Sequence, residues 1–304
     1  MKVTLLGTGG MIPTLYRNLP SIALKRDGDL FLFDCGEGTQ IQFIRASLSF
    51  GKLFAIFLSH LHGDHVIGLP GLLMTIMQQS REKPLLIFGP PGTREYVDLF
   101  RKCLGFNPSY FLDIREIAEG LVYSGNGFRM EAIALDHRLP TFAFSLTEDS
   151  RPGCFFPEKA RELGVPEGPL FGKLQRGEPL TLENGKKVTP DMVMGPPRKG
   201  RKFVYVSDTR PCAPVIEFAR NADFLIHEGM FSDDMEEDAR KKGHSTVSQA
   251  ARIAREAGVK KLVITHISSR YRQINELLSQ ARGVFPTAII GKDLMEFDIP
   301  LHKE

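Results

Sequence analysis

Six residues at the end of one predicted strand constrain this chain more than any other feature. The segment His60-Leu61-His62-Gly63-Asp64-His65 brings four metal-binding side chains into a stretch that must turn, and Gly63 supplies the backbone freedom for the bend. The apolar residues 53–59 predict a buried strand before it, and residues 66–79 predict an apolar helix after it. Histidine nitrogen with aspartate oxygen suits zinc, with manganese and iron as alternatives. A run of solvated surface histidines is the competing interpretation, which the two apolar flanks disfavour.

Elsewhere the chain alternates short apolar strands with helical segments, which is the pattern of an α/β protein. The alternation holds before residue 150 and returns after residue 202. Further strands are predicted at 3–6, 30–34, 85–88, 130–135, 142–146, 203–207, 223–227 and 261–265, and helices at 93–103, 214–221 and 247–257.

Several predicted strands end directly before a side chain that binds metals. His60, Asp208 and His266 each come immediately after a predicted strand. In α/β sheets, active sites gather at the carboxyl ends of the strands. His137 also follows a strand, although its neighbour Asp136 competes for the same role. These positions predict that one site is assembled at one edge of the fold.

The candidate ligands are five imidazoles and two carboxylates, more than one four-coordinate zinc ion uses. They are His60, His62, Asp64, His65, His137, Asp208 and His266. Two metal ions about 3.5–4 Å apart, sharing Asp208 and a water, use them all. The expected split places His60, His62 and His137 on one ion, and Asp64, His65 and His266 on the other. Such a site is net positive and favours an anionic substrate, which a phosphodiester fits.

Composition sets limits on the partners and the compartment. The chain has 304 residues, of which 42% are hydrophobic, enough for one large domain or two of average size. Its net charge is only +3, so contacts with nucleic acid must come from local patches. The four cysteines form no Cys-x-x-Cys pair, which predicts reduced thiols. With no signal peptide and no apolar run of membrane length, we expect a soluble cytoplasmic protein without membrane contact.

Residues 150–202 break the alternation and are rich in proline, glycine and basic residues. The segment is too long for an ordinary connection in a compact domain. One interpretation is a disordered surface loop, and the other is a projecting arm whose cations hold a phosphate backbone. Interspersed apolar residues favour the arm. We therefore expect one metallo-hydrolase domain over residues 1–304 with a substrate-binding arm at 150–202, whose contacts come from Lys173, Arg176, Arg198 and Lys199.

The segment 60–65, followed later by single histidine, aspartate and histidine ligands, resembles the motif of the metallo-β-lactamase superfamily. Lactonases, thioester hydrolases and nucleases share that motif, so it leaves the substrate open. Further segments narrow the resemblance to the short form of the ribonuclease Z family: Leu6-Gly-Thr-Gly-Gly10, Phe33-Asp-Cys-Gly-Glu-Gly-Thr-Gln40, Ser207-Asp-Thr-Arg210, His244-Ser-Thr246 and Thr265-His-Ile-Ser-Ser-Arg-Tyr271. The basic arm is similar to that family's tRNA-gripping excursion.

The resemblance implies a four-layer αββα sandwich, a homodimer and two zinc ions. It also implies cleavage of precursor tRNA just after the discriminator nucleotide, leaving a 3′-hydroxyl on the tRNA and a 5′-phosphate on the trailer. One segment departs from the family pattern. Where the family commonly has His-Glu-Ala-Thr, this chain has His227-Glu-Gly-Met230, which keeps Glu228 and changes the backbone beside it.

The resemblance also assigns catalytic roles. Asp64 acts as a metal ligand that also orients or deprotonates the attacking water, or as a ligand alone. His244 lies at the scissile phosphate, stabilises charge and protonates the departing 3′-oxygen, while Glu228 holds its tautomer. The competing interpretation is that Thr246-x-x-Gln249 forms a capping box and the histidine is merely nearby. Arg270 either contacts substrate or packs, and Asp34 and Cys35 are interpreted as structural.

Three functions fit these features. The favoured one is a zinc-dependent endoribonuclease that acts on precursor tRNA. The alternative is a small-molecule hydrolase of the same superfamily, acting on a lactone, a thioester or an aryl sulfate, which has no evident need for a basic arm. The third is a non-catalytic RNA-binding protein, which does not require a complete set of metal ligands.

Overall fold

The computed structural model describes residues 1–79 and 81–302. The strands in this part of the chain are β1 (Lys2–Gly7), β2 (Gly9–Gly10), β3 (Ser21–Arg26), β4 (Asp29–Phe33), β5 (Leu53–Phe57), β6 (Leu85–Gly89), β7 (Leu112–Glu116), β8 (Gly120–Gly125), β9 (Phe128–Ala134), β10 (Phe142–Glu148), β11 (Leu180–Thr181), β12 (Lys187–Val188), β13 (Lys202–Val206), β14 (Phe224–Glu228), β15 (Leu262–Thr265), β16 (Ile267–Ser268), β17 (Ile289–Ile290) and β18 (Glu296–Asp298).

The helices in the same residues are α1 (Thr39–Arg45), α2 (Gly63–Val66), α3 (Gly68–Met77), α4 (Thr93–Leu104), α5 (Pro157–Glu162), α6 (Pro169–Gln175), α7 (Pro190–Val193), α8 (Ala213–Phe218), α9 (Glu236–Lys242), α10 (Val247–Glu256) and α11 (Asn275–Val284). Two 3₁₀ turns occupy Phe50–Lys52 and Asp233–Met235. None of these helices is both long and apolar enough to cross a membrane.

The first large sheet has the strand order β18-β1-β3-β4-β5-β6-β7. Strands β4 to β7 run parallel, and the central strands β5 and β6 are continuous apolar runs because both of their faces are covered. Their register pairs Phe33 with Phe57, and Phe57 with Phe88. The carboxyl ends of β4 and β5 are therefore level, so the segment that begins at His60 emerges beside Asp34.

The second large sheet has the order β17-β15-β14-β13-β10-β9-β8. Strands β13, β14, β15 and β17 are parallel, and the register places His227 opposite both Val206 and Ile264. This alignment brings Asp208, Glu228 and His266 to the same end of the sheet, because each follows or closes one of the paired strands. The order and direction of the strands thus bring these three side chains together at one end of the sheet, although they are far apart in sequence.

Three apolar clusters define four layers. The cluster between the sheets contains Phe33, Phe57, Phe144 and Phe203, and the rings of Phe33 and Phe203 lie 5.3 Å apart. A second cluster packs the outer face of the first sheet against α1, α3 and α4, and a third packs the second sheet against α8, α10 and α11. The order helices, sheet, sheet, helices confirms the predicted αββα architecture.

The predicted elements are present with small shifts at their ends. The largest difference lies after the histidine segment, where one predicted helix is two: α2 already begins at Gly63, and α3 begins at Gly68. Gly68 approaches the backbone of Gly36 so closely that a Cβ there would lie 1.9 Å from the Gly36 oxygen. The break between the helices therefore lies at a point of backbone contact. The sequence did not predict strands β3, β7 and β8, the short strands β2, β11, β12, β16, β17 and β18, or helices α1, α5, α6, α7, α9 and α11.

Residues 147–201, with residues 300–302, form a second compact unit. It contains α5, α6, α7 and the antiparallel pair β11–β12. A small apolar cluster holds it together: Ala160, Val165, Leu174, Leu180, Val188 and Val193. This packing disfavours the disordered-loop interpretation of the segment. One of its basic residues is not available to a ligand, because Arg201 is buried and pairs with Glu148 at 2.7 Å.

Candidate active site

The seven candidate ligands converge at the carboxyl ends of the parallel strands and fall into two groups. In the first group, His62 Nδ1 lies 2.9 Å from His60 Nε2 and 3.2 Å from His137 Nε2. Asp208 Oδ2 lies 3.6 Å from His60 Nε2 and 3.9 Å from His137 Nε2. Each side chain therefore directs one ligand atom at the same small volume.

The second group lies on the other side of Asp208. His266 Nε2 lies 3.3 Å from His65 Nε2 and 3.4 Å from Asp64 Oδ2. Asp208 Oδ1 lies 3.2 Å from His266 Nε2 and 3.4 Å from His65 Nε2. Asp208 is thus adjacent to both groups, with one carboxylate oxygen toward each.

These distances fit a divalent metal. Zinc–nitrogen bonds of about 2.0–2.1 Å in a tetrahedral site place neighbouring ligand atoms about 3.3 Å apart, close to the separations seen between the ring nitrogens. Asp208 Oδ1 is buried and accepts no hydrogen bond from the described residues. A buried carboxylate oxygen without a partner is costly unless a cation satisfies it. The residues form a site for divalent metal binding.

Neighbouring groups fix which nitrogen of each ring faces the centre. His65 Nδ1 donates to Asp34 Oδ2 at 2.8 Å, which leaves Nε2 for the centre. The same Asp34 oxygen accepts hydrogen bonds from Ser59 Oγ at 2.9 Å and from Tyr205 at 2.6 Å. Asp34 therefore orients a candidate ligand, a function that the sequence analysis missed. The available signal was its position, because Asp34 follows β4 just as His60 follows β5.

Two glycines leave space for the rings of two candidate metal ligands, His137 and His266. His137 Nδ1 donates to the carbonyl oxygen of Gly243 at 2.7 Å. Gly243 has a φ of +84°, and a Cβ there would lie 2.8 Å from His137 Nδ1. His266 has a φ of +60°, and its ring lies against Gly10, where a Cβ would lie 2.6 Å from the ring. Left-handed backbone at a non-glycine residue is strained and is often found at functional sites.

Asp64 is held by the backbone of a distant loop. Its Oδ2 accepts a hydrogen bond from the Met11 amide at 2.8 Å. Burial disfavours the Asp64 carboxylate, but the hydrogen bond and charge of His266, together with His65, outweigh it and lower its pKa. Asp64 is therefore ionised at neutral pH, in the form that can bind a cation or accept a proton.

Burial and neighbouring charges also set the protonation of Asp208 and His60. Burial opposes ionisation of Asp208, yet His266 and His65 hold its pKa well below the usual range. Burial and the neighbouring His65 lower the pKa of His60 well below its usual value, which keeps its nitrogen free of a proton. Metal ligands must be deprotonated to bind, so a neutral His60 beside an ionised Asp208 favours cation capture.

His244 forms a pair with Glu228 at the edge of the cluster. Its Nδ1 donates to Glu228 Oε1 at 3.2 Å, and Glu228 is itself fixed by the amides of Thr209, Met230 and Ser245 at 2.9–3.1 Å. Burial disfavours the imidazolium, but the Glu228 carboxylate outweighs it and raises the pKa of His244. The predicted capping box of Thr246 and Gln249 is also present, so it coexists with this pair.

The departure at Gly229-Met230 has a packing reason. A Cβ on Gly229 would lie 2.5 Å from a methyl carbon of Ile264, so the neighbouring strand occupies the space that a larger residue needs. Met230 is buried beside Phe231 and Ala239, and its amide donates to Glu228 Oε2 at 2.9 Å. Glu228 therefore keeps its hydrogen bonds despite the altered segment.

A cleft of about 510 Å³ opens over this cluster. Its walls include His62, Asp64, His137, Asp208 and His244, together with Met11, Gly63, Ile67, Arg138 and Lys242. Arg138 and Lys242 were not among the predicted site residues, although the basic run 240–242 directly before His244 was a visible signal. The predicted Arg270 does not line this cleft; its guanidinium lies 5.1 Å from the ring centre of Phe231.

The predicted substrate residues of the second unit differ in their surroundings. Lys173 and Lys199 are exposed. Arg176 is also exposed but pairs with Glu178 at 2.9 Å. Arg198 is half-buried and donates from Nε to the backbone oxygen of Pro152 at 2.9 Å. The two lysines are thus the more available cations of the four.

Comparison with known proteins identifies the class of protein to which this fold and site belong. Residues 1–147 match the family model of the anti-Pycsar protein Apyc1, and residues 178–267 match that of a beta-lactamase superfamily domain. With the αββα sandwich and the histidine-aspartate cluster, these matches define a hydrolase of the metallo-β-lactamase class.

Full-length relatives are more specific. The chain is 48% identical to the ribonuclease Z of Methanosarcina acetivorans, with 100% of both chains covered, and 47% identical to that of Treponema denticola, with 98% of each covered. The crystal structure of human tRNase Z, short form, matches with a TM-score of 0.73 at 28% identity, covering 99% of this chain and 100% of that chain. The chain belongs to the ribonuclease Z family.

Proposed function

We propose that this protein is a metal-dependent endoribonuclease that removes 3′ trailers from precursor tRNA. It cuts after the discriminator nucleotide and leaves a 3′-hydroxyl on the tRNA and a 5′-phosphate on the trailer. The observation that carries the proposal is that His244, which is paired with Glu228, lines the same cleft as four of the seven candidate metal ligands. The full-length similarity to ribonuclease Z proteins supports the choice of substrate.

The cofactor in this proposal is a pair of zinc ions, with manganese or iron as alternatives. His60, His62 and His137 would hold one ion, Asp64, His65 and His266 would hold the other, and Asp208 lies next to both sets of ligands. When bound, such ions would supply a nucleophile at neutral pH and neutralise charge on the phosphodiester.

The protein's own residues supply proton transfer and alignment. Asp64, ionised and fixed by the Met11 amide, orients the attacking water and accepts its proton. His244 has its Nδ1 tied to Glu228, which leaves Nε2 to protonate the departing 3′-oxygen. A raised pKa keeps this imidazole in the form that can donate. Glu228 acts through His244 as a positioning residue.

Substrate selection rests on shape and charge. The cleft admits an unpaired 3′ end, and the basic second unit binds the folded tRNA body through its phosphates. Lys173, Arg176, Arg198 and Lys199 make those contacts in this proposal, and Arg270 makes a further substrate contact. Binding is then expected to weaken steeply as salt rises.

We further propose a homodimer that acts in the cytoplasm. Exposed apolar side chains on α1, Ile41 and Ile44, support a contact with a second copy, because such side chains favour burial in an interface. Light scattering of the purified protein tests the dimer, and a monomeric mass at micromolar concentration contradicts it.

The decisive assay is incubation with a 3′-extended precursor tRNA, with and without a chelator. We expect a single cut just past the discriminator, a 3′-hydroxyl end, and loss of cutting when the metal is removed, because the cluster is incomplete without it. Sequencing gels and end-group analysis read the products. An intact precursor, with metal content verified, rejects the proposal and favours a small-molecule metallo-hydrolase acting on a lactone, thioester or aryl sulfate.

A second assay tests the basic unit. Replacing Lys173 and Lys199 by serine is expected to lower kcat/KM for precursor tRNA about tenfold at moderate salt, because each phosphate contact contributes to binding. Hydrolysis of a small aryl phosphodiester is expected to be unchanged. The matched control replaces the exposed Lys52 and Lys102, which removes the same charge elsewhere. Equal losses in both double variants contradict a specific role for this unit.

A further inference from the structure

We propose that Lys242 and Arg138 bind the RNA phosphate next to the scissile one, at the rim of the metal cleft. This inference rests on the proposed function and adds a substrate-positioning pair to it. Both side chains line the same cleft as the metal cluster and His244. Neither belongs to the cluster, so their charge is available to a part of the substrate that the metals do not reach.

Lys242 is placed by the end of a helix. It is the last residue of α9, and Gly243 then turns the chain with a φ of +84° so that His244 follows in the cleft. The proposed acid and the cation are thus two residues apart on a fixed turn. A phosphate beside the leaving oxygen lies within reach of both.

A buried aromatic ring fixes this cation. The Lys242 ammonium lies 5.6 Å from the ring centre of Phe231, and the His244 ring centre lies 6.0 Å from the same point. Phe231 is fully buried, so its ring is a rigid support. An ammonium over an aromatic face is held by the ring quadrupole, which reduces the freedom that binding must remove.

Arg138 is held against the same helix end. Its Nη2 donates to the backbone oxygen of Lys241 at 2.8 Å. A guanidinium has five N–H donors in a planar fork, so several remain for another acceptor. Arginine binds phosphate oxygens through such paired donors. Arg138 and Lys242 together present two cations of different geometry to one acceptor group.

A simpler explanation is that these cations only stabilise the carboxyl end of α9, where cations are favourable. The chain itself supplies the control for that explanation. Lys241 lies in the same last turn, but it is exposed and its ammonium pairs with Glu237 at 2.7 Å. Lys242 has no ion-pair partner in residues 1–79 and 81–302. If these lysines only stabilise the helix, replacing either one should have the same effect. If Lys242 binds phosphate, only its replacement should weaken RNA binding.

The test compares Lys242→Met with Lys241→Met in the metal-loaded enzyme. The first readout is the inhibition constant of a short single-stranded RNA against hydrolysis of an aryl phosphodiester, measured over a range of salt. We expect Lys242→Met to raise this constant about tenfold, the loss of one charged hydrogen bond, and to make its logarithmic salt slope shallower by about 0.7. Lys241→Met is expected to change neither, and Lys242→Arg is expected to restore most of the binding.

The second readout is kcat/KM for precursor tRNA, which we expect to fall about tenfold in Lys242→Met only. Equal effects of the two methionine variants, an unchanged salt slope, or an RNA that does not inhibit the parent enzyme each overturn the phosphate site. Failure of the parent enzyme to cut precursor tRNA rejects the proposed function instead. The inhibition assay still reports on Lys242 in that case, so the two failures are distinguishable.

Discussion

Replacing Asp208 by asparagine is expected to lower turnover of both RNA and small phosphodiesters at least about 10³-fold, because a metal site supplies several kcal/mol of transition-state stabilisation. Asp208 lies next to both ligand groups, with Oδ1 3.2 Å from His266 Nε2 and Oδ2 3.6 Å from His60 Nε2. Asparagine keeps the volume of this buried side chain, so the core is not disturbed. It removes the negative charge that lies beside the imidazoles and that would balance cations bound there.

The same variant is expected to lose bound metal. Mass spectrometry of the purified protein measures metal per chain, and thermal unfolding measures whether the fold survives. Asp234→Asn is the matched control, since it makes the same chemical change at an exposed position. An Asp208→Asn enzyme with unchanged metal content and unchanged activity contradicts a ligand role for this carboxylate.

Replacing His244 by alanine is expected to slow cleavage of precursor tRNA about 10²–10⁴-fold, the usual contribution of a general acid or base. An aryl phosphodiester should lose less than about tenfold, because a phenolate of low pKa departs without being protonated. The difference follows from the geometry of His244. Its Nδ1 is engaged by Glu228, so Nε2 is the ring nitrogen left to act on the substrate in our proposal.

The structure also allows a competing role, since His244 lies within ligand distance of Asp208 and His266. Metal content separates the two interpretations. An acid leaves bound metal unchanged when it is removed, whereas a ligand does not. His302→Ala provides a control, because it removes an imidazole that belongs to none of the candidate metal groups. Loss of metal in His244→Ala, or equal losses on the two substrates, excludes the acid role.

Most residues of the cluster could be predicted from the sequence, because their positions follow one physical rule. Parallel strands in register bring their carboxyl ends to one edge, so residues that follow predicted strands meet in space. His60, Asp208 and His266 obey this rule, and the two ligand groups in the structure correspond to the split expected from the count of ligands. Asp34 obeys it as well. It was interpreted as structural because a single carboxylate after a strand carries no metal pattern of its own.

Other parts of the site depend on tertiary packing and could not be found by pattern. The Met11 amide that holds Asp64 is a backbone group, and every residue except proline has one. Position 229 requires a glycine because Ile264 on the neighbouring strand occupies the space beside it. Only the register of the two strands specifies that contact. Helix α9 was missed because its seven residues are mostly charged, with no apolar stripe to reveal the period.

The hydrogen bond from His137 to Gly243 has a consequence for protein design. The partner of a candidate metal ligand is here a peptide carbonyl, 106 positions away in sequence, on the turn that also carries Lys242 and His244. Grafting the seven ligand side chains onto another scaffold would leave that carbonyl behind. A design that transfers this centre to another scaffold must include the turn after α9, because backbone groups as well as side chains hold the ligands in position.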